Sequence, residues 1–196
     1  MLRKLFMFMV AMALSAGAAY AAPADLPETG QTTCYDALGA VIACAGTGQD
    51  GDFKKGVPWP SPRFTVYECG SPVYTDHIVK DNLTGLMWVR MPSSVASIWQ
   101  DALAYANDLT LCGANDWRLP NVNELESLIN LNVANNATWL NEQGFINIEW
   151  VGLIWSSTFN YQYIYNRMVV NMHDGDMVSF ENYIACCRTW PVRGGR

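Results

Sequence analysis

The clearest helical pattern lies in SIWQDALAYANDL, residues 97–109, where Trp99, Ala102, Leu103, Ala106 and Leu109 recur on one side of a 3.6-residue turn. They predict an amphipathic helix with a buried apolar stripe. Ser97 stands three residues before Gln100, a capping-box spacing that places the helix start there. A second helix is predicted just after Pro120 in NDWRLPNVNELESL, residues 115–128: Asn121 and Glu124 repeat the capping-box spacing, and Val122, Leu125, Leu128 and Ile129 share one face. Between residues 73 and 90, VYTDHIVKDNLTGLMWVR reads as two short strands around the turn formers of residues 81–85. Near the end, VVNMH and DMVSF flank Asp174 and Gly175, a pair that supplies the positive φ angles of a hairpin turn.

Glu124 and Glu126 invite a reading as paired catalytic carboxylates. Two positions on a helix turn the chain by about 200°, so the two side chains leave on nearly opposite sides and cannot share a substrate. Glu124 has a local task instead, reaching back to the Asn121 amide. Arg118, just before the helix, is the kind of planar donor that ties a loop to carboxylates or carbonyls.

The first residues change the picture of where the protein works. Arg3 and Lys4 precede an apolar run from Leu5 to about Leu14, followed by small residues and Ala19-Tyr20-Ala21, the pattern of a secretory signal peptide over residues 1–21. The run is shorter than the roughly 20 residues a membrane-spanning helix requires, and no later stretch is long and apolar enough, so no membrane span is expected. The expectation is an exported protein: periplasmic, secreted or associated with the cell surface. Residues 22–63, rich in Gly, Pro and Thr, read as an extended, disulfide-pinned N-terminal arm, and residues 64–196 as one domain. With 51% hydrophobic residues and only 15% charged, the chain is globular in class. The net charge of −6 becomes more negative once Arg3 and Lys4 are removed, which argues against nucleic acid as a partner.

All six cysteines follow the cleavage site, and an even number in an oxidising compartment predicts a disulfide framework. Cys34 and Cys44 flank a local turn at Leu38-Gly39 and are expected to pair. Cys186 and Cys187 lie on the strand-like run YIACCRT and would leave opposite faces of a pleat, so each is expected to take one of Cys69 and Cys112, in an order the spacing leaves open. A reactive vicinal thiol pair is the alternative, and no Lys-rich or His-rich surrounding supports it.

Other candidate chemistries are weak. GTGQDG, residues 46–51, matches a dinucleotide-binding glycine spacing, but the prolines of GVPWPSP prevent the helix that such a site needs. His77 and His173 are nearly a hundred residues apart, with no nucleophile elbow and no zinc spacing, so no hydrolase is expected. Calcium is conceivable at Asp50-Gly51-Asp52 or Asp174-Gly175-Asp176, but each falls short of six oxygen ligands, and no cofactor is expected.

Five motifs in order, DNLTGLMW (81–88), WQDALAYANDL (99–109), NDWRLPNVNELESL (115–128), IWSST (154–158) and WPVRGG (190–195), resemble the Lcl C-terminal domain family, named for the terminal domain of a bacterial collagen-like adhesin. The resemblance implies an α+β, C-type-lectin-like fold, with two helices packed on antiparallel strands and disulfides stapling it. It implies extracellular binding, as adhesion or recognition of a glycan or cell-surface protein, and no catalysis. The namesake adhesin binds sulfated glycosaminoglycans, a role for which this chain offers no basic cluster beyond Lys54-Lys55. It has no collagen-like tract, so no oligomeric state is inherited. The RLP-plus-acidic-helix stretch is also similar to formylglycine-generating sulfatase-modifying factors, and this similarity implies the rival reading, a thiol-dependent oxidase.

The expected binding surface is FNYQYIYNRMVVNM, residues 159–172. Read as a strand from Tyr163, it places Ile164, Met168, Val170 and Met172 on a core face and Tyr163, Tyr165, Arg167 and Asn171 on an exposed one. Tyr, Arg and Asn on an exposed face have the composition of a binding surface.

Overall fold

A computed structural model describes residues 26–70, 72–73, 77–148 and 152–194. The segment read as a signal peptide lies outside the described residues. Helix and strand are mixed, as the α+β expectation has it. In chain order the elements are β1 (Cys34–Tyr35), β2 (Val41–Ile42), α1 (Asp50–Phe53), β3 (Phe64–Tyr67), β4 (Ile78–Asp81), β5 (Met87–Val89), α2 (Trp99–Asn107), α3 (Val122–Glu126), α4 (Asn136–Glu142), β6 (Leu153–Phe159), β7 (Asn166–Asn171), β8 (Met177–Glu181) and β9 (Val192–Arg193). All named strand pairs are antiparallel and form three sheets, β1-β2, β3-β4-β5-β9 and β6-β7-β8.

The two predicted strands around residues 81–85 are β4 and β5, paired Val79 to Trp88. Asp81 closes their turn by accepting from the Leu83 amide at 2.9 Å and the Thr84 hydroxyl at 2.9 Å. The predicted helix after Pro120 is α3, and its capping box is complete: Glu124 N donates to Asn121 Oδ1 at 2.9 Å and Asn121 N donates to Glu124 Oε2 at 2.8 Å. The other predicted cap does not form. Helix α2 has Ile98 at its N-cap with no side-chain cap bond, because Ser97 is drawn into an antiparallel bridge with Cys187. Its apolar stripe stands nonetheless: Ala102 and Ala106 are fully buried, with Trp99 and Leu103 packed beside them. Two further helices, α1 and α4, have no counterpart in the periodicity. Asn135 caps α4 by accepting from the Thr138 amide at 3.0 Å.

In the sheet β6-β7-β8, strands β6 and β7 bury residues on both faces, whereas the edge strand β8 is largely exposed. Ile154 and Val170, paired across β6 and β7, face the larger core with Leu125 of α3, whereas their neighbours Trp155 and Val169 face the smaller core with Ala102 and Ala106 of α2. The larger core is threaded by aromatic rings: Trp88 to Trp190 at 5.3 Å, Trp190 to Phe145 at 5.1 Å, Phe145 to Phe64 at 5.2 Å, and Phe64 to Trp139 at 5.9 Å. Trp139 then meets Trp59 of the N-terminal segment at 5.6 Å. That segment doubles back on itself, Glu28 N donating to Val57 O and Val57 N to Leu26 O, and it lies on the domain through Leu131 N to Thr29 O.

The disulfides correct part of the expected framework. Cys34 pairs with Cys44 as expected, but Cys69 pairs with Cys112 and Cys186 with Cys187. The opposite-face argument required an extended strand at YIACCRT. The chain instead turns at Asn182 and Tyr183, and residues 184–186 belong to no strand, so the pleat that would separate the two sulfurs is absent. Cys69 and Cys112 both have left-handed backbones and their Cα atoms lie 5.1 Å apart. GTGQDG also differs in detail: one turn of helix, α1, does form and then stops at Lys54, whose φ is +44°. Gly51 is needed because a Cβ there would meet the sulfurs of Cys34 and Cys44 at 3.0 and 3.1 Å.

Arg63 and Asp81 are almost wholly buried and paired, Arg63 Nη2 to Asp81 Oδ2 at 3.4 Å. The same nitrogen donates to the Ser127 carbonyl. Burial holds the Arg63 guanidinium below its usual range, and the Asp81 charge and hydrogen bond offset only part of that. Removing one partner of such a pair strands the other charge in the interior. Asp81→Asn is expected to cost about 3 kcal/mol or more by denaturant unfolding. A loss under about 1 kcal/mol would show that the pair is not structural.

Candidate functional site

The stretch NDWRLPNVNELESL forms a junction between α3 and the segments on either side of it. Trp117 is buried and donates its Nε1 to the Leu111 carbonyl at 3.3 Å. Arg118 grips Glu124 with both terminal nitrogens, at 2.7 and 2.6 Å, and reaches the Gly194 carbonyl at 3.1 Å. The hydrogen bonds that Arg118 donates to Glu124 hold its guanidinium above the ordinary range. Glu124 is thereby committed to the helix cap and the arginine at once, and Glu126 stands apart from it. This arrangement orders the chain terminus against α3.

The candidate acidic loops are likewise closed on themselves. Asp52 Oδ2 accepts from the amides of Gly46 and Gly48 at 3.0 and 3.2 Å, and Thr29 donates to Asp50. Asp174 accepts from Asn171 Nδ2 at 2.9 Å and from the Asp176 amide at 3.0 Å, and Gly175 has φ +83°, which is the predicted hairpin turn. Among the described residues no group of three or more His, Cys, Asp or Glu side chains is placed to hold a metal ion.

The four predicted binding residues do not lie on one strand face. Strand β7 begins at Asn166, so Tyr163, Ile164 and Tyr165 belong to the loop before it. Ile164, expected in the core, is 63% exposed in that loop. Asn171 stands at the other end of β7, about 20 Å away for six extended residues, where its side chain bonds Asp174 and the His173 amide. Arg167 is half-buried: its guanidinium lies 4.2 Å from the Trp99 ring of α2, and Nη1 donates to the carbonyls of Ile164 and Asn166 at 2.9 and 3.0 Å. The face expected to be exposed is therefore covered by α2 over its middle. Val169, on the same face as Arg167 and fully buried, is the sequence signal that could have shown this.

What remains exposed is a rim at one end of the sheet. Tyr161 is 88%, Tyr163 57% and Tyr165 68% exposed, and Phe159, Ile164 and Tyr183 join them. The backbone beneath is tightly tied. Asn160 N donates to Asn166 O and Asn166 N to Tyr163 O, Asn160 Oδ1 accepts from the Gln162 amide at 2.9 Å, Asn160 Nδ2 donates to Ser179 at 3.1 Å, and Asn182 N donates to Tyr165 O. Tyr183 donates to Glu181, and that hydrogen bond raises the phenol above its usual range. A fixed backbone carrying free aromatic side chains loses little entropy on binding. Phe159, Tyr161, Tyr183 and Ile164 were not among the predicted binding residues; the aromatics at every second position of FNYQYIY were the signal for Phe159 and Tyr161.

Arg167→Ala removes the ring stacking and two carbonyl contacts, and is expected to cost about 1–2 kcal/mol. Hydrogen exchange should accelerate at residues 160–166. In Tyr163→Ala both stability and exchange should stay near the parent; equal effects of the two changes would contradict the division between support and surface.

A family model described as the Lcl C-terminal domain matches residues 77–193, more than half of the chain. No curated protein matches it.

Proposed function

The chain belongs to the Lcl C-terminal domain family, and on that premise we propose that it is an exported, non-catalytic binding module, with a C-type-lectin-like domain that recognises a glycan or a surface protein. The tyrosine rim carries this reading. Tyrosine offers a large rigid contact area at low entropic cost, and its ring can stack on a sugar face. Gln162 and Asn182 lie in the same loops and carry further amide groups. Export is supported by the N-terminal sequence pattern and by three disulfides, which persist in oxidising compartments. The rival oxidase would need a free thiol, and all six cysteines are paired.

Screening the protein on glycan and cell-surface protein arrays, beside the variant Tyr161→Ala, Tyr163→Ala, Tyr165→Ala, tests the rim. These side chains are exposed, so the variant should fold with stability within about 1 kcal/mol of the parent. Its binding to any ligand found should fall by about tenfold or more. Equal binding by a folded variant would move the site elsewhere.

The reading requires no bound cation, since Asp50, Asp52 and Asp174 already serve their own loops. Chelation with EDTA is expected to leave the melting temperature unchanged. A fall of several degrees restored by calcium alone would overturn this part of the proposal.

A further inference from the structure

A cleft of about 540 Å³ lies between α2 and the chain around residues 91–97, away from the tyrosine rim. Its walls are mainly apolar, with Met91, Val95, Leu109 and Leu111 among them. Asp101 is the one charged side chain that lines it, and Tyr105 follows one turn later on the same face of α2. Asp101 is exposed and makes no ion pair among the described residues. Helix α2 contains no basic residue to neutralise it. Arg188, the cation that lies against the opposite wall, is turned onto the carbonyls of Ser93 and Ser94 and is not part of the lining. On the inner wall the Ser97 hydroxyl is buried and has no hydrogen-bond partner among the described residues.

We propose that this cleft docks a lysine side chain presented by a polypeptide partner. A lysine combines an apolar four-carbon stem with a compact ammonium, so one residue satisfies both the aliphatic walls and Asp101. The exposed Tyr105 ring, a turn from Asp101, adds a face over which the ammonium can rest. The volume is more than one side chain fills, and the remainder suits flanking apolar residues of an extended segment. The net charge of −6 favours approach of a basic partner. A neutral sugar fits less well, because the lining offers one carboxylate and no amide side chain, and the Ser93 hydroxyl is already engaged with Val95 O and the Thr189 amide. This inference does not rest on the tyrosine rim.

The test is a fluorescence anisotropy titration of the protein with a labelled acetyl-Ala-Leu-Lys-Leu-Ala-amide peptide, and with the same peptide carrying norleucine in place of lysine. Saturable binding of the lysine peptide, weakened about fivefold or more by the norleucine exchange, is expected. Asp101→Asn should weaken the lysine peptide by a similar factor and leave the norleucine peptide unchanged. Tyr105→Ala should weaken it as well, while Asp108→Asn, outside the cleft, should not. Circular dichroism checks that each variant is folded. Equal binding of the two peptides, full binding by Asp101→Asn, or no saturable binding would overturn the proposal. Competition by methyl glucoside, or by n-butylammonium as effectively as by the peptide, would also overturn it, making the cleft a sugar site or a site for free amines.

Discussion

The buried pairing of Arg63 with Asp81 ties the paired strands β3 and β4 to the end of α3. Arg63 sits at the end of the N-terminal segment, Asp81 at the β4-β5 turn, and the Ser127 carbonyl, which takes a third bond from the guanidinium, just past α3. A buried charge is tolerated only where its partners are in place. The guanidinium also lies 4.1 Å from the Trp59 ring and 4.8 Å from Phe64, so the charge is enclosed by aromatic faces. From Phe64 the ring contacts continue through Phe145 to Trp190, beside Val192 of β9. The N-terminal segment is thereby an integral part of the core's boundary.

Because α3 lies on one face of β6 and β7 and α2 on the other, the middle of the sheet is closed to a ligand, and the edge strand β8 keeps exposed positions, at Met177 and Val178. Recognition is left to loops at its ends and to clefts beside its helices. Helix α2 takes part in both candidate surfaces. Trp99 at its start lies under Arg167 and so supports the rim, while Asp101 and Tyr105 on another side line the cleft. The same helix buries Ala102 and Ala106 against Trp155 and Val169. Small alanines let it approach the sheet closely, and its larger residues are left for the two flanks.

The helix after Pro120 and the two hairpins were legible because their signals are local: a cap at Asn121 and Glu124, and turn formers around Gly85 and Gly175. The cap at Ser97 was misleading for a reason no local rule contains, since Ser97 pairs with Cys187, some 90 residues downstream. Strand β7 was legible as a strand, but its start and its covered face depend on α2, which the strand's own alternation cannot reveal. The tyrosines were identified by composition while their place in a loop was not, because Tyr and Ile favour strands as readily as they populate an exposed turn. The cysteine pairing failed where a distant contact was inferred from an assumed pleat.

The observed disulfides distribute covalent constraint differently from a framework that staples the last strand. A cross-link restricts the unfolded chain according to the length of loop it closes. Cys69 and Cys112, 43 residues apart, constrain the most, joining the end of β3 to the segment after α2. Cys34 and Cys44 are 10 apart and organise the N-terminal hairpin around Gly51. Cys186 and Cys187 are neighbours, so their bond fixes local shape and ties no distant segments together. The chain end therefore depends on non-covalent contacts: Trp190 donating its Nε1 to Val89 O at 2.7 Å, Arg188 exchanging backbone bonds with Leu153 and Trp155, and Val192 pairing with both Trp88 and Arg118. Those contacts place residues 187–189 beside Ser93 and Ser97, so the wall of the cleft is as stable as the packing of Trp190 and no more.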